Sequence, residues 1–179
     1  MGIPTRFYKE AEEKVVDLLV DCGMMRFPVD PFFLARMKGI EVRNYSALDA
    51  EKRLACSVCK IDAFRDYDPI SNKYMIYYDE HKSEGSIRFS LLHELGHIIL
   101  GHKEESTRAE TLADYFAGYA IAPPVIIDRM ERKTISDIVD YFGVTELCAE
   151  VRLKKYRGWK QFSIRAHEKR LLKHLGYNA

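Results

Sequence analysis

His93-Glu94-Leu95-Gly96-His97 is the stretch of this chain whose residue types and spacing can do chemistry. Histidines four apart on a helix stack one turn above each other, so both imidazoles can turn a ring nitrogen towards one tetrahedral Zn²⁺. Glu94 is rotated about 100° from His93, too far round to be a ligand but placed to reach a water held by the metal. Zinc lowers such a water's pKa towards neutrality, and a carboxylate can take its proton and pass it to a leaving amine. The expected chemistry is peptide-bond hydrolysis at one zinc ion. Other divalent metals suit the same donors.

A third ligand has to follow. A three-histidine pattern would need glycine and histidine where Leu100 and Lys103 stand, and His102 is one residue out of register. Among the downstream acids, Glu104 and Glu105 read as solvated charges of a turn. Glu110 lies in the next helix beside the small Ala109, and a connection of four or five residues folds that helix back across the first. Glu110 is the expected third ligand; its competing reading is an exposed acid that favours a helix N-terminus. Asp114, one turn on, could hydrogen-bond a ligand histidine and fix its ring. His81 and Tyr115 are candidates for stabilising the oxyanion.

These residues need elements to hold them. Ile87, Leu91, Leu92, Leu95 and Ile99 line one face of a helix over 86–101, which Gly101 stops. Ala109, Leu112, Ala113, Phe116, Ala117 and Ala120 make the packing face of a helix over 106–121, broken by Pro123-Pro124. Ahead of them, 5–22 reads as an amphipathic helix with Thr5 as cap, and Asp30-Pro31 opens a second over 31–38. Ile40–Tyr45, Leu54–Phe64 and Lys73–Tyr78 read as three strands of a small antiparallel sheet, the last two joined by a turn at 68–72. Shorter helices are predicted over 124–130, 134–142 and 145–156, and a last one over 161–175. The fold class is α+β, a mostly helical zincin-like core with that sheet. The expected division is a metallopeptidase domain over 1–123, a helix-turn-helix-like segment over 124–157 and a basic C-terminal helix over 158–179.

The run from Ile87 to His102 (IRFSLLHELGHIILGH), then Glu110-Thr111-Leu112-Ala113-Asp114-Tyr115-Phe116-Ala117 and Pro123, resembles the ImmA/IrrE metallopeptidases. Their pattern is a "RFTLAHELGH" helix, then "E-x-x-A-[ND]-x-F-A" and a proline. The resemblance extends, more weakly, over about residues 26–155. It implies a zinc endopeptidase with ligands at His93, His97 and Glu110 and a general base at Glu94. It also implies, as substrate, a helix-turn-helix transcriptional repressor whose cleavage relieves repression in a phage, mobile-element or stress operon. The chain departs from the family at Ala120-Ile121-Ala122-Pro123, where "LLMP" is usual, and at Gly118, which loosens the helix. Both bear on substrate fit rather than on the ligands.

Of 179 residues, 28 are Lys or Arg and 27 Asp or Glu, a formal net charge of +1. The balance hides a split. Residues 151–179 hold nine basic side chains and one acidic, Glu168, so that segment carries +8 and residues 1–150 carry −7. The basic tail suggests proximity to DNA or an acidic partner. Ile135–Leu153 has helix-turn-helix rhythm around Gly143 and Thr145, but Glu146, Leu147 and Glu150 are a poor phosphate surface, which favours packing or protein recognition. No apolar run approaches a membrane span and no secretion signal is visible, so a cytoplasmic chain with reduced cysteines is expected. Cys56 and Cys59 form a lone CxxC in the second strand pattern, read as two thiols on opposite faces of it. Two alternatives to catalysis stay open: a regulator that binds a repressor without cutting it, and a DNA-associated regulator that retains the metal site.

Overall fold

The computed structural model describes residues 3–104 and 106–177; Glu105 lies outside the described residues. Helix α1 (Thr5–Asp21) and helix α2 (Pro31–Met37) open the chain, followed by strand β1 (Glu41–Asn44), a single 3₁₀ turn at Tyr45–Ala47 and helix α3 (Ala50–Cys59). Strands β2 (Ala63–Asp68) and β3 (Lys73–Tyr78) precede helices α4 (Glu84–Leu100) and α5 (Thr107–Ile121). Helices α6 (Pro124–Arg129), α7 (Ile135–Phe142), α8 (Glu146–Trp159) and α9 (Ala166–His174) complete the fold. The α+β class holds, with helix dominant.

The sheet is mixed, not antiparallel. Its order is β1-β3-β2, with β2 antiparallel and β1 parallel to β3. The physical reason lies in Leu54–Phe64, which is not one strand. Asp49 accepts from Lys52 N at 2.8 Å and caps α3, Lys60 ends it in the left-handed region, and only then does β2 begin. Helix α3 carries the chain from β1 past β3 to the far edge of the sheet, so that β3 returns beside β1 in the same direction. The CxxC therefore sits on a helix rather than a strand: Cys56 is buried and Cys59 exposed. The β2–β3 turn falls at the expected place, where Asp68 Oδ1 accepts from Ile70 N at 2.9 Å.

Side-chain alternation divides the sheet into two faces. Tyr77 and Phe64 face α3, with Tyr45, Leu48 and Cys56. Ile76 faces the main core, and Arg65 is its partner on β2. Helix α4 lies against β2 and β3 and packs α5 on its other side; α5 in turn carries α1. The main cluster of buried residues runs from Val15 to Leu172 and draws on all three expected spans, while the Tyr45–Tyr77 group beneath α3 is a smaller one apart from it.

Two helix starts differ from expectation. Helix α1 has Pro4 at its N-cap and no side-chain cap, Thr5 being the first helical residue. The last helix starts at 166 rather than 161, so Phe162 is exposed while Leu171 and Leu172 are buried. By contrast Asp30 caps α2 by accepting from Phe32 N and Phe33 N, and Thr145 caps α8 by accepting from Cys148 N. Helices α7 and α8 meet at Gly143, whose φ of 59° lies in the left-handed region that glycine tolerates best. Arg88 of α4 donates to the Gly143 carbonyl and, through Nε, to Val29 O at 3.1 Å, which ties that turn to the body. Among the described residues, no helix is long and apolar enough to cross a membrane.

Candidate metal centre

Helix α4 is fixed at both ends before it presents any chemistry. Ser83 caps it by accepting from Ser86 N at 3.3 Å, and Gly101 closes it in the left-handed region. His93 and His97 then stand one turn apart, with their Nε2 atoms 3.0 Å from each other. Ser106 caps α5 by accepting from Ala109 N at 3.1 Å and so sets the turn that carries Glu110. The two helices approach closely because Gly96 has no side chain. A Cβ there would lie 3.0–3.2 Å from three atoms of Phe116.

Across this gap Glu110 reaches both histidines, with Oε2 3.2 Å from His93 Nε2 and Oε1 3.3 Å from His97 Nε2. One donor atom from each residue lies within 4.8 Å of the others. In a tetrahedral zinc site with bonds of about 2.0–2.1 Å, donors sit about 3.3 Å apart along the tetrahedron edges. The spacing and the N, N, O donor set therefore fit that ion.

The outer ring nitrogens are also engaged. His93 Nδ1 is 2.9 Å from Asp114 Oδ1, and His97 Nδ1 is 3.2 Å from His102 Nδ1. With protons on both Nδ1 atoms, His93 donates to Asp114 and His97 to His102, leaving both Nε2 lone pairs free to converge. Burial, with Arg65 and the other histidines, drives the His97 pKa down to about 3, so it is neutral at physiological pH. At His93 burial works the same way but is outweighed by Asp114, Glu94 and Glu110, which raise its pKa.

Glu94 projects sideways from the pair and is only 7% exposed. Its Oε2 accepts from Arg65 Nη1 at 3.2 Å. Burial raises its pKa, and His93 and Arg65 pull the other way. A carboxylate raised by burial and held by a single guanidinium is disposed to take up a proton.

These groups line a cleft of about 1130 Å³ between α4 and the β2–β3 hairpin, with Phe64, Tyr67 and Tyr74 along the hairpin side. Strand β2 is at the sheet edge, so its outer backbone groups are free of strand pairing. The structure thus brings His93, Glu94, His97, Glu110 and Asp114 together. Two candidates lie elsewhere. The Tyr115 hydroxyl donates to Glu12 Oε1 at 2.5 Å, and its ring packs edge-on against Tyr8. His81 lines a separate hollow near Tyr45 and Arg53; it is grouped with Asp79 and Glu80, and Glu80 already accepts from Tyr45 N and Ser46 N.

Arg65 and His102 are members of the site that sequence reasoning missed. The signal for Arg65 was an arginine in a strand whose cross-strand partner is an apolar core residue, legible only once β2 is registered on β3. His102 failed as a ligand by spacing, but a residue five beyond His97 can curl back past Gly101 onto the outer face of its ring.

No curated protein matches the chain. The family model for the IrrE N-terminal-like domain matches residues 54–154, more than half of the chain, from α3 through α8. That span contains both histidines, Glu94, Glu110 and Arg65, which here line one cleft, and Asp114, which holds His93 from behind. The chain belongs to the peptidase family of the IrrE N-terminal-like domain.

Proposed function

We propose that the protein is a zinc-dependent endopeptidase that cleaves a helix-turn-helix transcriptional repressor and so relieves repression. The observation that carries this reading is the convergence of two imidazole nitrogens and the Glu110 carboxylate, with nearest approaches of 3.0–3.3 Å, beside the buried Glu94 in an open cleft. Held by His93, His97 and Glu110, zinc would supply Lewis-acid polarisation of the attacking water and the scissile carbonyl. With the metal bound, Glu94 would be the group to accept a proton from the attacking water and return it to the departing amide nitrogen. Arg65 keeps the Glu94 carboxylate from swinging out of line, while Asp114 and His102 fix the two imidazole rings. The free edge of β2 lets an extended substrate segment pair with it, which suits a cut in an exposed stretch of polypeptide.

Zinc-loaded protein mixed with the repressor encoded beside it should cleave that repressor, and Glu94→Gln should not. Cleavage that survives Glu94→Gln removes Glu94 as the base. Binding without cleavage of the neighbouring repressors favours the non-proteolytic regulator. A second reading, proximity to DNA bearing the repressor, is favoured by the exposed Lys154, Lys155, Lys169 and Lys173 of α8 and α9. Replacing these four by Gln should flatten the salt dependence of cleavage on operator-bound repressor; an unchanged slope removes that reading.

A further inference from the structure

Among the described residues, a buried cation on α8 lacks a counterion. Arg152 of α8 is 4% exposed, and among the described residues it joins no ion pair. Its hydrogen bond there is from Nε to the Ala122 carbonyl at 3.2 Å, which closes the C-terminus of α5. A guanidinium has five N–H donors and keeps its charge in proteins, so capping accounts for one donor and leaves the terminal nitrogens over. Burial destabilises the charged form of this side chain, and buried charges are ordinarily paired.

The unpaired end faces a cavity. Gly118 of α5 makes room for it, since a Cβ there would lie 2.9 Å from Arg152 Nη1. Both residues line a mostly apolar hollow of about 490 Å³, together with Tyr8, Phe89, Val151 and Lys155. The hollow has the size and character of a small-molecule site, apolar walls with a few polar groups. Its cations, Arg152 and Lys155, both come from α8, and its carboxylates are Asp62 and Asp114, the latter one turn along α5 from Gly118 towards the metal centre.

We propose that this hollow is a binding site for a carboxylate carried on an apolar body, with the carboxylate on Arg152 and the body against Phe89 and Val151. An arginine fork matches a carboxylate with two parallel N–H···O bonds, which supplies the missing counterion. The same chemistry is offered by a small free acid and by the C-terminal residue of a peptide. The hollow adjoins the metal cleft, with Phe89 lining both, but the inference does not rest on the peptidase reading, because Arg152 and Val151, which carry it, lie outside that cleft.

The test is calorimetric titration of the full chain with 3-phenylpropionate and with its amide, followed by the tripeptide Ala-Ala-Phe as free acid and as C-terminal amide. At least one acid should bind saturably and at least tenfold tighter than its amide, and the tighter acid identifies the source. Arg152→Gln should abolish that preference. Should Arg152→Gln fail to fold, Val151→Trp at the half-exposed rim fills the hollow without touching the charge and should abolish binding. The bound acid should also protect Cys148, which lines the hollow, from N-ethylmaleimide. Equal affinity for acids and amides, no binding of either acid, or binding unchanged in Val151→Trp would overturn the proposal.

Discussion

Gly96→Ala is the substitution that most directly probes how the metal centre is spaced. A Cβ at 96 would sit 3.0, 3.1 and 3.2 Å from Phe116 Cδ1, Cγ and Cβ, where carbon atoms prefer about 3.5–4.0 Å. Phe116 is fully buried and cannot swing aside, so α5 must move by about half an ångström. Overpacking of this kind costs about 1–3 kcal/mol, and alanine in place of a helical glycine returns about 1 kcal/mol. The expected net loss is about 0–2 kcal/mol, or a fall in Tm of up to about 8 °C for a domain of this size. Displacing α5 also draws Glu110 away from His93 and His97, so zinc affinity should fall along with stability. The assay is a double-mutant cycle with Phe116→Leu, read by thermal and chemical denaturation. In the Phe116→Leu background the clash is gone, and Gly96→Ala should be neutral or stabilising by up to about 1 kcal/mol. The coupling should lie between about 1 and 3 kcal/mol. An additive cycle, or a Gly96→Ala protein more stable than the parent, would refute the account of helix spacing.

Three further outcomes follow from particular contacts. Asp114→Asn keeps an oxygen within reach of His93 Nδ1 but removes the charge, and zinc affinity in a competition with a chromogenic chelator should drop about 10–100-fold; an unchanged affinity would mean that Asp114 does not orient the ring. Burial raises the Glu12 pKa, but the adjacent His167, the hydrogen bond from Tyr115 and the charge of Arg165 outweigh it and hold the carboxyl below its ordinary range. Its stabilising contribution is therefore complete above the ordinary glutamate pKa of about 4.3 and is lost as pH falls through the depressed folded value. Urea unfolding from pH 6 to 3 should show a shallower acid loss in Glu12→Gln than in the parent, and parallel curves would exclude the linkage. Ellman's reagent should titrate Cys59 first and Cys148 more slowly, while the buried Cys22 and Cys56 react only on unfolding; a fast Cys56 would contradict the packing of α3 beneath the sheet.

What was legible in the sequence was what is encoded locally. The faces of α4 and α5 repeat every three to four residues and end in a left-handed glycine or a proline pair, so their existence and the stacking of His93 on His97 could be read directly. Glu110 was reachable because a short connection forces α5 back over α4. Helix α3 was not legible, because Leu54 and Val58 supply strand-like apolar character yet stand in solvent at 65% and 72% exposure. Its helicity is fixed instead by the Asp49 cap and by Cys56 closing over Tyr45 and Tyr77. The parallel pairing of β1 followed from that helix and was hidden with it. Arg65 depends on register: one residue either way along β2 would turn it away from Glu94.

The charge split between body and tail shows how a sum can mislead where pairings decide. Read as a total, the +8 of the last segment points outward to a polyanion. In the fold Arg165 closes on Glu12 and Arg170 on Asp17, both from α1. Glu168, fully buried, accepts from Trp159 Nε1 at 2.6 Å and from the Tyr119 hydroxyl at 3.3 Å. His167 Nε2 stands 3.3 Å from Glu12 Oε2 but off the line of a hydrogen bond, so Arg165 and Tyr115 carry the bonding of that carboxylate. Leu171 and Leu172 then fix α9 against the first helix with apolar area, while salt can weaken only the exposed Arg170 pair. Part of the acidic body and part of the basic tail are therefore partners within one molecule, joining its first and last helices behind α5. Since α5 carries Glu110 and Asp114 on its other side, the closure of the chain ends is also the backing that holds the ligand helix in place.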